Sequence, residues 1–289
     1  MTELPLVVGV DGSGSSLTAL DWAVDEAARR GLPLRLVYAS LWERYEGILP
    51  SGGPAPSEQV MAEQIVISAA ERARLRHPEV RTATDILPEE AAEALVRAGD
   101  TAFAVVTGAR GRGGLRGRLL GSVGPAVAAR AHCPVIVVRG DPAGLSGTHE
   151  RILLGAGEPD AAGEAVRFAF AEAGTRGCVL DAVRAWSAHG SADLLRLGGD
   201  AAEGHEKQAG AALDALLRDQ AAGHPEVRVR PATVKGPPRK VLVDRSAAAD
   251  LVVIGARRRP GHAGLPLGRV AHALLHHAHC PVAVVPQRT

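Results

Sequence analysis

The chain has 289 residues, about twice the commonest single-domain size of roughly 150, which predicts two domains with separate cores. Its 46% hydrophobic and 22% charged residues exclude a disordered chain, and 33 basic against 32 acidic side chains exclude the wholesale basic excess of a protein that coats nucleic acid. No leader-like basic and apolar start is present, no apolar run nears the roughly 20 residues of a membrane span, and three cysteines (Cys133, Cys178, Cys280) are too few for a disulfide framework. A soluble, cytoplasmic protein is expected, without a membrane or nucleic-acid partner.

In chain order, short runs of Val, Ile and Leu alternate with longer alanine-rich segments of helical period. The pattern predicts a strand over Leu4–Val10, a helix over Ser16–Arg30 and a strand over Leu34–Ala39. A Gly/Pro-rich loop over Leu41–Pro56 follows, then a helix from about Ser57 to Leu75. Next come a strand at Arg81–Asp85, a helix at Glu89–Ala98, a strand at Phe103–Thr107 and a Gly/Arg loop. A helix over Ser122–Ala131 and a strand over Val135–Val138 close the series. Strands apolar on both faces and separated by helix-length crossovers imply a parallel sheet covered on both sides. With right-handed crossovers that is a doubly wound open sheet, which binds ligands at the carboxyl ends of its strands.

The chain then repeats itself. HPEVR occurs at 77–81 and again 147 residues later at 224–228, and AHCPV occurs at 131–135 and, at the same offset, at 278–282. Near the start of each half, residues 7–31 match residues 153–177 at an offset of 146, so one inserted residue reconciles the halves. A period this long is a domain duplication, not a solenoid of short units. Copies over 1–140 and 149–289 are expected, joined by the Gly/Pro/Ser stretch Gly140–Thr148.

Two loops of the first copy fall at strand ends: Gly9-Val10-Asp11-Gly12-Ser13, and the loop that begins Gly108-Ala109-Arg110-Gly111 and closes at Gly121-Ser122-Val123. The second has the pattern G-x2-G-x9-G-S. Glycines admit close approach, successive N–H groups can form an anion nest, and the helix that follows offers unpaired donors and its dipole. Ser122 is placed to cap that helix, or to bond a phosphate oxygen instead. The spacing is neither that of the lysine-bearing phosphate loop nor that of the dinucleotide fingerprint, and residues 1–206 contain no lysine. Asp11-Gly12 is also an ordinary turn pair, and Arg110, Arg112, Arg116 and Arg118 are read equally as phosphate partners or as solvated surface charge.

Both copies resemble universal stress protein domains, and the chain resembles the tandem form of that family. The resemblance rests on Gly108, Gly111, Gly121 and Ser122, on the V-G-V-D-G-S start and on the C-P-V strand after the last helix, and it covers nearly the whole chain. It implies a Rossmann-like α/β fold of two five-stranded domains and ATP, with or without magnesium, as the ligand. It makes Asp11 an acceptor near adenine, sets Ala39 against the base through its backbone, and wraps the glycine loop around ribose and phosphates. It also carries Gly9, Ser13, Arg118 and Val123 into the same pocket. Family members often pair through their last strands, which would make the two domains an intramolecular pseudodimer through Val135–Val138 and Val282–Val285. Homodimerisation and an unidentified protein partner stay open.

Position by position, the second copy departs from this pattern. Asp11 maps to Gly157, Ser13 to Pro159, Gly111 to Arg258 and Ser122 to Arg269, whereas Gly108 and Gly121 are kept as Gly255 and Gly268. The second copy is therefore expected to keep the fold and to bind ATP weakly or not at all. His262, His272, His276, His277 and His279 cluster beside Cys280, but His279-Cys280 only repeats His132-Cys133, so a structural role is expected and no metal site is assigned. The cysteines before proline are expected to pack as small apolar groups. No G-x-S-x-G elbow and no general base beyond Asp11 is evident, so no catalytic residue is assigned. Three functions follow: a nucleotide-binding stress-response regulator with at most slow turnover, an ATP-using enzyme built on Asp11 and Arg118, or a nucleotide-free pseudodimer that binds partners.

Overall fold

The computed structural model describes residues 3–41, 57–111, 120–158, 162–186, 200–256 and 267–287. Arg112, Arg116, Arg118, Pro159, Arg258, His262 and nearly all of the loop after the second strand lie outside them. The chain divides into two compact units, Met1–Arg139 and Gly140–Thr289.

The first unit has strands β1 (Leu6–Gly9), β2 (Leu34–Ala39), β3 (Thr82–Leu87), β4 (Ala104–Gly108) and β5 (Val135–Val138), ordered β3-β2-β1-β4-β5. All adjacent pairs are parallel. Between them run the helices Gly14–Arg30, Ser57–Arg76, Ala91–Gly99 and Val123–Arg130. The second unit repeats this with β6 (Arg151–Gly155), β7 (Val179–Trp186), β8 (Val229–Lys235), β9 (Leu251–Ala256) and β10 (Val282–Pro286), ordered β8-β7-β6-β9-β10 and again parallel. Central strands are buried throughout, as in Leu6, Val7, Val8, Ala104, Val105 and Val106. The strands β3 and β8 depart from the expected two-faced burial and leave residues such as Ala83 and Arg230 exposed.

Local chemistry sets the element ends. The first helix starts at Gly14, two residues ahead of the expected Ser16, because the Ser13 hydroxyl caps it, accepting from the Ser16 N–H at 3.1 Å. Gly31 and Gly177, at equivalent positions, end the first helix of each unit in the left-handed region with φ of 67° and 61°. The expected connector contains a short helix, Pro142–Ser146, with Asp141 accepting from the Gly144 N–H at 2.9 Å and Gly147 as a left-handed C-cap. Proline at the first helical position and glycine just past the last suit a helix as well as they suit a linker.

The repeated pentapeptide forms the same turn twice. His77 Nδ1 lies 2.8 Å from Glu79 and His224 Nδ1 lies 3.1 Å from Glu226. Val80 and Val227 close the turns by donating to the histidine carbonyls. Both glutamates are held below the usual carboxylate range, first by their own backbone N–H and then by the histidine. The first helices also share a fully buried glutamate: Glu26 pairs with Arg29 and Arg30, and its counterpart Glu172 pairs with Arg176. A buried carboxylate is tolerable only when so partnered.

Cys133 and Cys280 are buried, and desolvation pushes the Cys133 thiol up to about 11. Cys178 is half-buried and its thiol is also raised by burial. Thiolate attack requires both ionisation and access, so Ellman's reagent at pH 8 should label at most one thiol per folded chain, Cys178, and all three in urea. Labelling of Cys133 or Cys280 in the folded protein would contradict this packing.

Candidate functional site

In the first unit the strand order reverses between β1 and β4, and the chain leaves these adjacent strands in opposite directions around the sheet. The crevice so opened is a cleft of about 570 Å³. That volume lies in the usual range for small-molecule sites, roughly 300–1,000 Å³. Its lining includes Gly9, Asp11, Ala39, Gly108, Gly111, Gly121, Ser122 and Val123, so eight of the ten residues singled out in the sequence meet there. Arg118 is among the undescribed residues, and Ser13 stands outside the lining with its hydroxyl committed to the helix cap. Sequence reading missed the apolar wall formed by Val37, Tyr38, Ala91 and Leu95, and it missed Ser16, Thr107 and Gly124.

Asp11 serves two purposes. Its Oδ1 accepts from the Ser13 N–H at 2.9 Å, making the turn expected of an Asp-Gly pair, with Gly12 at φ 77°. Its Oδ2 faces the glycine loop, 2.8 Å from where a Cβ on Gly111 would stand. Among the described lining residues Asp11 is the one carboxylate.

The glycines have separable reasons. At Gly108 a Cβ would lie 2.7 Å from both the carbonyl oxygen and the hydroxyl of Ser15, so the first helix can approach β4 only because nothing projects there. The Ser15 hydroxyl in turn accepts from the Arg110 N–H at 3.1 Å. Gly9 instead serves packing, its missing Cβ leaving room for Leu95. The two ends of the glycine loop are pinned together by the Gly121 N–H donating to Ala109 at 2.8 Å. Ser122 occupies the N-cap position of Val123–Arg130 but makes no side-chain cap bond, so that helix turns uncapped donors toward the cleft. With apolar walls on the β2 side and N–H donors, Ser122 and Arg110 on the other, the cleft suits a ligand with one flat apolar end and one anionic end.

Among its described residues the second unit does not repeat this arrangement. Where Asp11 stands in the first, Gly157 stands in the second, and Arg184, the counterpart of Tyr38, donates to the Gly157 carbonyl and lies 3.0 Å from Glu158. The helix Arg269–His277 begins directly after Gly268, with Arg269 in place of Ser122. His272 and His276 stack at 4.3 Å between ring centroids, and among the described residues no group of three or more potential ligands is placed to hold a metal ion. Nor is any helix among them long and apolar enough to cross a membrane.

The family model of the universal stress protein family matches residues 5–139 and 148–286. Two curated relatives from Mycobacterium tuberculosis, universal stress proteins Rv2005c and Rv2623, are each 31% identical, over 300 and 296 residues. The alignments cover 98% of this chain in both cases and 97% and 96% of the relatives. In fold, the chain is similar to the crystal structure of a universal stress protein from Archaeoglobus fulgidus, with a TM-score of 0.70 over the full length of both chains at 16% identity. The chain belongs to the universal stress protein family, as two tandem copies.

The close approach at Gly108 sets a stability prediction. Gly108→Ala should cost about 1–3 kcal/mol in urea unfolding, because backbone would have to move. Gly14→Ala, at a helix start with nothing within 4 Å, should change stability by less than about 0.5 kcal/mol. Equal costs at the two positions would refute the steric account.

Proposed function

We propose that the first unit binds an adenine nucleotide, ATP among them, and that the second unit does not, so that one nucleotide per chain acts as a regulatory signal. The observation that carries this is the cleft at the β1/β4 reversal, with Asp11 beside a glycine loop at one end and an uncapped helix N-terminus at the other. The apolar wall of Val37, Tyr38, Ala39 and Leu95 suits a base, and Asp11 can accept from a sugar hydroxyl or an exocyclic amine. The Ser122 hydroxyl and the first N–H groups of its helix suit phosphate oxygens. Arg110, and the arginines of the undescribed loop segment, would add charge there.

The chemistry of the lining favours binding over turnover. Asp11 has one oxygen committed to its turn, and no second carboxylate stands among the described lining residues to share a divalent cation or to serve as a separate base. A metal carried by the nucleotide would be held chiefly by its phosphates. Binding would instead draw the glycine loop onto the phosphates, changing the surface that the first unit offers to another protein.

Titration calorimetry of the full chain with ATP should give one site per chain. Asp11→Ala should weaken binding by about tenfold or more, the scale of losing a hydrogen bond to a charged group. Two equivalent sites, or an unchanged affinity in the Asp11 variant, would overturn this reading. Phosphate release in the steady state should be no more than a few turnovers per hour, and rapid turnover abolished by Asp11→Ala would make the protein an enzyme instead.

A further inference from the structure

Thr107 is the next-to-last residue of β4 and is 4% exposed. Its Oγ1 is buried and has no hydrogen-bond partner. The residue nevertheless lines the cleft, and the hydroxyl faces the first turn of Val123–Arg130, lying 3.0 Å from where a Cβ on Gly124 would stand. A buried hydroxyl without a partner costs free energy, roughly 1–3 kcal/mol, so the fold gains nothing from having threonine here and would be served better by valine. The second unit bears this out in its own sequence. Its equivalent residue is Ile254, 3% exposed within β9, in the unit that also lacks the counterparts of Asp11, Gly111 and Ser122. The hydroxyl is present where the cleft is open, and an apolar side chain takes its place where the other site residues have changed.

We infer that the buried hydroxyl of Thr107 is a binding group of the first unit, unsatisfied in the free protein and satisfied by an oxygen of the ligand's sugar–phosphate end as it settles over Gly124. The inference rests on nucleotide binding by this cleft and assigns Thr107 as a ligand-binding residue. Gly124 is part of the device. With no Cβ on Gly124, the helix N-terminus packs directly against the Thr107 hydroxyl and Val137, so a ligand oxygen that reaches the hydroxyl also meets the backbone donors of that turn. Ser122, two residues earlier and uncapped, supplies a further hydroxyl.

The test uses Thr107→Val and Thr107→Ser in the full chain, with ATP as the probe and two readouts. Valine has the same shape without the hydroxyl, so Thr107→Val should raise the melting temperature of the nucleotide-free protein and weaken ATP binding by roughly 3- to 10-fold. Thr107→Ser keeps the hydroxyl and should hold ATP affinity within about twofold of the parent. An unchanged affinity in the valine variant overturns the inference, as does a lowered melting temperature, which would make the hydroxyl a structural group. Loss of affinity in Thr107→Ser equal to that in Thr107→Val also overturns it, since the methyl and not the hydroxyl would then be responsible. The Asp11→Ala variant separates the two levels. If that variant loses ATP while Thr107→Val does not, nucleotide binding stands and the role of Thr107 falls; if the parent chain binds no ATP, both fall.

Discussion

The parallel pairing of β1 with β4 is the constraint on which the first unit's cleft depends. The register of Leu6, Val7 and Val8 on Ala104, Val105 and Val106 brings together loops nearly a hundred residues apart in the chain. Because these strands continue to opposite sides of the sheet, their loops part and leave a crevice. What fills it is then a matter of clearance. Ser15 presses against Gly108, Asp11 reaches to Gly111, and the Gly121 N–H ties the loop back to Ala109. The Gly108 contact demands a residue without a side chain, Gly111 leaves room for the Asp11 carboxylate, and Gly121 sits where a side chain would be tight, so the spacing of glycines marks the site.

The duplication separates what the fold requires from what the cleft requires. Gly9 leaves room for Leu95, and the same pair recurs as Gly155 and Leu242, where a Cβ would stand 2.8 Å from a leucine methyl. Glu26 with Arg30 recurs as Glu172 with Arg176, and the His77–Glu79 turn as His224–Glu226. These are packing and partnering devices, and both copies keep them. Asp11 and Gly111 change together, to Gly157 and Arg258. In the first unit the aspartate and the bare backbone are sterically coupled, so once the carboxylate is gone nothing at that contact demands a glycine.

Much of this was legible in the sequence because it follows from periodicity and offset. Five strands per copy, the helices between them and the convergence of Asp11 with Gly108, Gly111, Gly121 and Ser122 follow from apolar runs and the carboxyl-edge rule. The rest depends on contacts that no local pattern encodes. Ser13 caps the first helix, a role decided by where that helix begins and not visible in the local sequence. The connector contained a cap, a first-turn proline and a terminal glycine, signals shared by linkers and short helices. Thr107 sits inside an apolar strand run and reads as an ordinary β-branched strand residue; only the absence of a partner for its hydroxyl distinguishes it. Arg184 reads as one more surface arginine, and only its bond to the Gly157 carbonyl shows it filling in beside the lost aspartate.

The two units thus differ in how they settle the same strand ends. The first leaves polar groups underused: an unpartnered Thr107 hydroxyl, a helix whose N-cap serine makes no cap bond, and glycines whose chain entropy is lost on folding. The second answers several equivalent positions from within its own chain, although its helix Arg269–His277 also lacks a side-chain cap bond and the Arg151 and Trp186 side-chain N–H groups are buried without a partner. Gln287 accepts from the Glu164 N–H at 3.0 Å, capping a helix that has lost its own serine cap, while Arg184 bonds the Gly157 carbonyl and Ile254 replaces the buried hydroxyl. Unsatisfied polar groups and open backbone cost a domain stability, and a bound ligand can offset that cost. At these strand ends the difference between two copies of one fold lies in a few positions, where Asp11, Tyr38 and Thr107 of the first unit become Gly157, Arg184 and Ile254 of the second.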